Sequence, residues 1–216
     1  MLPAKQGLYD PQNEHDNCGA GFICSLQGKK TNDIIHKALD ILDCLEHRGA
    51  VSADGKTGDG AGILIEIPHD FLLSQCDFKL PDLHKYAVGM VFLPKKENQR
   101  TYCISVLENE LKKQGLEVLG WRKVPVNQNV VGSIAALTEP VIMQIFIGRG
   151  SDSLSDHMFN IKLFCARKIS EHTILKSKLS QANYFYLPSL STHTLIYKGL
   201  LIPEDIKGYY KDLTDP

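Results

Sequence analysis

A chain of 216 residues with 43% hydrophobic composition is long enough to bury one large domain, with or without an insertion. Its formal net charge of -1, without long runs of one sign, is not that of a nucleic-acid-binding protein. The sequence has neither the stretch of about 20 apolar residues that crosses a bilayer nor the apolar core of a signal peptide. We therefore expect a cytoplasmic protein that contacts neither nucleic acid nor a membrane.

The first part of the chain predicts a leader, a strand and a helix. Residues 1–17 are polar and irregular, whereas residues 20–26 are apolar enough to form a first strand. Apolar residues then recur with helical spacing over residues 34–45, so we expect a helix that buries one face. Gly49 is a suitable residue to end this helix, because glycine readily adopts the left-handed conformation found just past a helix end.

A glycine-rich loop follows at residues 50–62 and predicts close packing of the backbone. Its glycines lack the spacing of a phosphate-binding loop and precede a strand rather than a helix, so nucleotide binding is not predicted. A strand–helix–strand pattern at about residues 80–147 predicts a βαβ-like insertion. Strands are predicted near residues 63–67, 86–93, 116–121, 140–147, 184–187 and 194–197, and helices near residues 98–114, 155–172 and 203–210. Residues 212–216 predict a loop with no packing element after it, and we therefore expect the domain to be truncated.

Cys18 is the candidate nucleophile. It is the one cysteine in a polar, glycine-rich setting, and Gly19 and Gly21 leave room for a substrate to approach its sulfur. No two cysteines form a Cys-x-x-Cys pair, so we predict no metal site and no iron–sulfur cluster in this chain. In a reducing cytosol we expect most of the other cysteines to be buried free thiols. The other cysteines are Cys24, Cys44, Cys76, Cys103 and Cys165.

Several blocks of the sequence resemble the start of glutamate synthase large subunits. No single block identifies this family by itself. The order and spacing of the blocks, from Leu8 to the end of the chain, make the resemblance specific. On these residues the chain is similar to the first part of a class II glutamine amidotransferase domain. The blocks are Leu8-Tyr9-Asp10-Pro11, Glu14-His15-Asp16-Asn17-Cys18-Gly19-Ala20-Gly21-Phe22, Leu45-Glu46-His47-Arg48-Gly49-Ala50, Thr57-Gly58-Asp59-Gly60-Ala61-Gly62-Ile63-Leu64, Glu139-Pro140-Val141-Ile142 and Tyr197-Lys198-Gly199-Leu200-Leu201.

The resemblance implies an α+β fold of the N-terminal-nucleophile hydrolase type, a four-layer αββα sandwich that is truncated in this chain. It implies a leader at residues 1–17 and an amidotransferase domain at residues 18–216. Removal of the leader makes Cys18 the first residue. Its free α-amino group, with a pKa of about 7.7–8.0, is then able to accept the thiol proton, so no histidine is required beside Cys18. While Asn17 remains attached, that nitrogen is an amide and is not a base.

The resemblance also implies the reaction. The Cys18 thiolate attacks the side-chain carboxamide of L-glutamine, ammonia leaves, and water hydrolyses the γ-glutamyl thioester to glutamate. In such enzymes the remaining domains of the large subunit use the ammonia for reductive amination of 2-oxoglutarate. Those domains use FMN and an iron–sulfur cluster, with NAD(P)H or ferredoxin as the electron donor. We expect no cofactor in this chain.

Arg48 matches an arginine that lies near the nucleophile, and the resemblance implies that it helps to bind the substrate. An alternative role for Arg48 is to satisfy the last carbonyls of the preceding helix. The resemblance further implies a set of residues that support the pocket wall without taking part in catalysis. These are Gly19, His47, Gly49, Asp59 and Gly60.

Two other functions stay open. The family's oxyanion-hole Asn-Gly pair and its glutamine-binding arginine and aspartate have no match in residues 202–216, and loss of an oxyanion donor alone costs about 10²–10³ in rate. We therefore expect this chain to be inactive, or nearly so, by itself, and a non-catalytic binding module is the alternative function. A third hypothesis, a cysteine-protease-like hydrolase, requires a histidine such as His193 beside Cys18.

Overall fold

The computed structural model describes residues 5–7, 19–151 and 154–214 of the chain. Cys18 and most of the predicted leader therefore lie outside the described residues. The strands are β1 (Ala61–Glu66), β2 (Tyr86–Leu93), β3 (Glu117–Lys123), β4 (Val141–Gly148), β5 (Tyr186–Ser191) and β6 (Thr194–Gly199). The α-helices are α1 (Asn32–Cys44), α2 (His69–Gln75), α3 (Glu97–Lys113), α4 (Ser133–Thr138), α5 (Asp156–Leu175) and α6 (Asp205–Tyr209).

A four-stranded antiparallel sheet forms the centre of the described fold. Its strand order is β3-β4-β2-β5, and the inner strand β2 is buried along nearly its whole length. Because successive side chains of a strand point to opposite faces, Val88 and Met90 pack into one apolar core, and Ala87 and Val91 pack into another. The sheet thus separates two cores.

Helices α3 and α5 cover the face of this sheet that carries Ala87 and Val91. Leu107 of α3 and both Phe159 and Leu163 of α5 are buried in that core. The two helices also pack on each other, and Ser155 caps the start of α5 by accepting a hydrogen bond from the backbone of its first turn. These helices therefore shield this face of the sheet from water.

A second sheet, formed by the antiparallel pair β1 and β6, covers the other face. Ile63 of β1 and both Leu195 and Tyr197 of β6 share one buried core with Val88 of β2. Leu39 of α1 belongs to the same core, and α1 packs on β1. The described residues therefore form a mixed α/β fold with antiparallel sheets.

Most of the predicted elements are present. The strands predicted between residues 63 and 197 correspond to β1–β6, and the longer predicted helices correspond to α1, α3 and α5. Helices α2 and α4 were not predicted, because at 7 and 6 residues they are too short to show a helical period. In the part of the chain that the structure describes, no helix is both long and apolar enough to span a membrane.

The strand predicted at residues 20–26 is wrong. The structure describes no strand there, and the side chains of Phe22 and Leu26 are 90% and 99% exposed. The segment lies along α1 instead, so closely that a Cβ atom on Gly21 would lie 2.4 Å from Cγ2 of Ile41. Apolar composition favours a strand, but a strand also requires a hydrogen-bonded partner, which local sequence does not identify.

The segment at residues 80–147 is built into the central sheet. Strands β2 and β3 run parallel to each other, but β4 lies between them and is antiparallel to both. The connection from β2 through α3 to β3 therefore crosses one intervening strand, β4. The domain boundaries, including an insertion in this region, stay predictions.

The end of α1 also differs from the prediction. The helix stops at Cys44, and a 3-10 turn follows at Glu46–Arg48. Gly49 has a φ of -98°, outside the left-handed region that a helix-ending glycine adopts. The missing side chain of Gly49 instead leaves room for the carboxylate of Asp59.

The expectation that most of the cysteines other than Cys18 are buried holds for Cys103 alone. Cys24 and Cys44 are exposed, and Cys76 and Cys165 are half-buried. Burial raises the pKa of the Cys103 thiol to about 11, so this cysteine is an unreactive apolar side chain at neutral pH.

Tyr86 makes the stability of the fold sensitive to alkaline pH. Burial raises the pKa of its hydroxyl from 10.0 to about 12, with a smaller contribution from Cys76. The unfolded chain releases the Tyr86 hydroxyl proton at a lower pH than the folded chain does. The contribution of Tyr86 to the free energy of unfolding is therefore fully present below pH 10 and is lost as the pH rises from 10 to about 12. We expect the urea midpoint to decrease across this window.

The matched control is Tyr86→Phe, which removes the titrating group and its hydrogen bond to His69 Nδ1 (3.0 Å). This variant starts from a lower stability, and its midpoint should fall less steeply with pH than that of the wild type. Equal slopes in the two proteins would show that Tyr86 does not contribute to the alkaline loss of stability.

Candidate active site

The residue that follows the candidate nucleophile packs against the turn after α1. A Cβ atom on Gly19 would lie 3.0 Å from Cδ2 of Leu45 and 3.4 Å from Cβ of Arg48. Cys18 itself lies outside the described residues, but it is covalently joined to Gly19. The fold therefore brings Arg48 beside the backbone that leads directly to Cys18.

Gly19 also lines a cleft of about 850 Å³ between the two sheets. Two further predicted site residues, Asp59 and Gly60, line the same cleft, whereas His47, Arg48 and Gly49 are not among its lining residues. The rest of its wall comes from both sheets and from the segments after α4 and β6. The wall residues include Ile63, Leu64, Phe92, Ile142, Tyr186, Ile196, Lys198, Leu201, Tyr209 and Tyr210.

His47 and Gly49 support the turn rather than the cleft surface. The ring Nδ1 of His47 lies 3.0 Å from the carbonyl oxygen of Cys44 and donates a hydrogen bond to it. His47 therefore satisfies a carbonyl group at the end of α1 that has no partner within the helix. A Cβ atom on Gly49 would lie 3.2 Å from Oδ1 of Asp59. Gly49 therefore leaves room for the Asp59 carboxylate to approach the turn that carries Arg48.

The glycine-rich loop is a small hairpin, which we call the cleft hairpin and define as residues 50–59. Its two arms pair through a bridge between Val51 and Gly58, with Asp59 N donating to the carbonyl oxygen of Ala50 at 3.0 Å. Gly58 passes so close to the segment after β6 that a Cβ atom would lie 2.3 Å from the carbonyl oxygen of Leu201. The predicted close packing of this loop is thus confirmed, and a side chain at Gly58 is excluded by backbone rather than by a movable neighbour.

The tip of the cleft hairpin carries a strongly perturbed carboxylate, Asp54. Hydrogen bonds from the backbone of Ile134 and from the side chain and backbone of Thr57 hold the pKa of Asp54 well below its usual range. Asp54 is therefore ionised at neutral pH. Sequence reasoning did not select Asp54, because its partner Ile134 lies 80 residues away.

Two charged residues of the cleft were also missed as site residues, although both lie in the family-like blocks. Glu139 accepts hydrogen bonds from the Tyr209 hydroxyl (2.8 Å) and from Gln128 Nε2 (3.0 Å). Lys198 places its Nζ 4.9 Å from the centre of the Tyr186 ring, a cation–π contact. With Asp59, these residues give the cleft charges of both signs, which suits a zwitterionic ligand such as an amino acid.

The fold holds His193 away from this cleft. His193 lies in the turn between β5 and β6, where its ring centre is 4.6 Å from that of His84. The cleft lies at the opposite end of β6, at Lys198 and Gly199. Nothing in this arrangement supports a Cys/His pair with His193. Among the described residues there is also no group of His, Cys, Asp and Glu side chains that could hold a metal ion.

The chain belongs to the class II glutamine amidotransferases, since the model of that family matches residues 18–216. It is similar to glutamate synthases and to large chains of glutamate synthases. It is 42% identical over 216 residues to the glutamate synthase (NADPH) large chain of Bacillus subtilis, covering 100% of this chain and 14% of that protein. It is 38% identical over 227 residues to the glutamate synthase (NADH) of Saccharomyces cerevisiae, covering 100% of this chain and 10% of that protein.

The ferredoxin-dependent glutamate synthase 2 of Synechocystis is 37% identical over 206 residues, which are 94% of this chain and 13% of that protein. The resemblance read from the sequence blocks is thus confirmed. The chain spans between 10% and 14% of the length of these relatives. It therefore corresponds to one domain-sized part of much longer proteins.

Proposed function

We propose that this chain is the glutamine-hydrolysing part of a glutamate synthase, with Cys18 as its nucleophile. The observation that carries the proposal is the packing of Gly19, which lines the cleft of about 850 Å³, against Arg48. This contact brings the Cβ atom of a basic residue, Arg48, close to the backbone that joins Cys18. A nearby cation favours the thiolate form of a cysteine and also attracts the carboxylate of a substrate.

The chemistry starts with removal of the leader at the Asn17–Cys18 bond, which frees the α-amino group of Cys18. That amine accepts the thiol proton, and the sulfur attacks the side-chain carboxamide carbon of L-glutamine. The C–N bond breaks, and the leaving nitrogen takes up the proton and departs as ammonia. Water then cleaves the γ-glutamyl thioester, which releases glutamate and restores the thiol.

Within this proposal the cleft binds the amino-acid end of glutamine. Asp59 attracts the α-ammonium group, and Lys198, which lines the same cleft, supplies a positive charge for a carboxylate. Arg48 lies beside the cleft and contributes to substrate binding from the turn next to Gly19. His47 and Gly49 support the turn that carries Arg48, and Gly60 forms part of the cleft wall. The complete domain has the four-layer αββα arrangement of the N-terminal-nucleophile hydrolases, with the two described sheets as its inner layers.

The remaining steps belong to other domains of a longer, cytoplasmic chain. We propose that those domains bind FMN and an iron–sulfur cluster, take electrons from NAD(P)H or ferredoxin, and use the ammonia to aminate 2-oxoglutarate. We further propose that the 216-residue chain alone turns glutamine over slowly, because matches to the family's oxyanion donors were not found in it. Covalent labelling of Cys18 is therefore a sharper test than turnover.

The test uses the purified full chain. Intact-mass and N-terminal analysis should show that the chain begins at Cys18, and a diazoketone analogue of glutamine should then add one label, at Cys18. Excess L-glutamine should protect it. The variant Cys18→Ser should take up no label, whereas the control Cys24→Ser, which removes an exposed cysteine from the same segment, should label as the wild type does.

The proposal is overturned for this chain if Met1 persists and Cys18 reacts no faster than the other cysteines. It is also overturned if glutamine gives no protection, since the reactive thiol would then lie outside a glutamine pocket.

A further inference from the structure

We propose that Asp54 is a positioning residue of the glutamine pocket. It fastens the tip of the cleft hairpin to the start of α4, and this fastening sets the spacing between two walls of the cleft. The inference rests on the proposed function, because it takes glutamine as the ligand. Asp54 contacts neither the ligand nor Cys18 in this proposal and acts through the groups that it holds.

The Asp54 carboxylate joins two segments that are far apart in sequence. On its own hairpin, Oδ1 accepts from Thr57 N (2.8 Å) and Lys56 N (3.1 Å), and Oδ2 accepts from the Thr57 hydroxyl (2.6 Å). On α4, Oδ2 accepts from Ile134 N (3.0 Å) and from the Ser133 hydroxyl (3.3 Å). One side chain therefore satisfies donors on both sides of the junction. Hydrogen bonds to a charged acceptor are about twice as strong as neutral ones.

Thr57 and Gly132 complete this junction, which we call the Asp54 latch. The Thr57 hydroxyl oxygen accepts from Ala135 N at 3.1 Å, a second direct bond between hairpin and helix. Gly132, just before α4, allows the close approach. A Cβ atom there would lie 2.4 Å from the Thr57 hydroxyl oxygen and 2.6 Å from Thr57 N. Since Gly132 has φ -61°, alanine fits its backbone conformation and only the clash excludes it.

The latch connects to the cleft on both sides. On the hairpin side, Thr57 is followed by Gly58, Asp59 and Gly60, and the last two line the cleft. On the α4 side, Ala135, Thr138 and Glu139 line it as well. The other arm of the hairpin starts next to Gly49, one residue from Arg48. Opening the latch would therefore shift Asp59 relative to Glu139 and loosen the turn that carries Arg48.

A shift of this kind affects binding more than the intrinsic reactivity of the thiol. Loss of one well-placed hydrogen bond or charge contact between the cleft wall and a ligand weakens binding by about 10-fold. The described residues that follow Cys18 pack against α1 and the following turn, since Gly21 lies against Ile41 and Gly19 against Leu45. We expect a weaker affinity for glutamine-like ligands with little change in reactivity toward small reagents.

The experiment opens the latch in two independent ways in the full chain. Asp54→Ala removes the carboxylate, and Gly132→Ala inserts a methyl group against the Thr57 backbone. Thr57→Ser keeps the bridging hydroxyl and serves as the conservative variant. Asp33→Asn is the matched control, because Asp33 is an exposed carboxylate in the first turn of α1 whose ion pair with Lys37 lies at the surface.

Two reagents separate positioning from a general structural effect. Labelling of Cys18 by the diazoketone analogue of glutamine gives a binding constant and a maximal rate, and iodoacetamide reports the thiol alone. For both latch variants we expect the binding constant of the analogue to weaken by about 10-fold or more, with the iodoacetamide rate within about twofold of wild type. Thr57→Ser and Asp33→Asn should match the wild type. Hydrogen exchange at residues 55–60 and 133–138 should increase in the latch variants.

The inference is overturned if exchange increases and the binding constant does not change, or if exchange stays at the wild-type level. It is likewise overturned if both reagents slow by the same factor, because that pattern indicates a collapsed site. Failure of the proposed function looks different: the wild-type chain itself then shows no preference for the analogue over iodoacetamide, before any variant is tested.

Discussion

Replacing Arg122 with Met is expected to destabilise the fold by about 3–5 kcal/mol, because it leaves the buried Asp212 carboxylate without its cation. Arg122 on β3 makes a two-pronged contact with Asp212, through Nη1 and Nη2 at 2.8 Å each, and both side chains are more than 90% buried. Asp212 also accepts from the Tyr197 hydroxyl (3.0 Å), and Gln144 Oε1 accepts from Arg122 (3.0 Å). The network joins the end of the described chain to three strands.

Urea unfolding monitored by far-UV circular dichroism measures this loss. The matched control is Arg167→Met on α5, whose partner Glu171 is four residues along the same helix and which keeps more contact with water. A helix pair of this kind contributes about 0.3–0.5 kcal/mol. The double variant with Asp212→Leu should be less destabilised than Arg122→Met alone, since no orphaned charge remains. Equal losses for Arg122→Met and Arg167→Met would contradict a tightly coupled buried pair.

Replacing Phe146 with Ala should cost about 3–5 kcal/mol of unfolding free energy, the usual range for a buried aromatic residue. Phe146 on β4 is fully buried between the two sheets. Its ring packs edge-on against Phe78 (5.2 Å between centres) and lies 6.3 Å from Tyr86. The loss combines the transfer free energy of the ring with the cavity that its rigid neighbours cannot fill.

The control for this change is Phe164→Ala, which removes the same side chain from the exposed face of α5, where it is 60% exposed. A surface substitution of this kind is expected to stay within about 0.5 kcal/mol of wild type. Thermal and urea unfolding of both variants give the comparison. If Phe146→Ala unfolds with the wild-type midpoint, the core between the two sheets does not contribute to stability as described.

The strands and long helices were predictable because their signals are local. The continuous apolar run that makes β2 a strand buried on both faces is complete within Tyr86–Leu93, and the apolar stripe of α5 is complete within one helix. The strand expected at residues 20–26 failed for the opposite reason. Its composition is local, whereas pairing depends on a second strand elsewhere in the chain.

The site residues also fall into two groups, those that local sequence identifies and those that only the fold brings together. Gly19, Asp59 and Gly60 were selected because motif blocks carry them, and they line one cleft. Glu139 and Lys198 lie in such blocks as well, but local sequence does not show that they face the same cavity as Gly60. The Asp54 latch was not visible at all, because its two halves, residues 54–57 and 132–135, are about 80 residues apart.

By itself, the sequence determined the family, the candidate nucleophile Cys18 and the identity of most elements, because each depends on residue type and short-range order. Tertiary structure alone decided that Gly19 packs on Arg48, that β4 separates β2 from β3, and that Arg122 meets Asp212. These pairings follow from how apolar faces are buried against one another. Burial is a property of the whole chain, and no short segment specifies its partner.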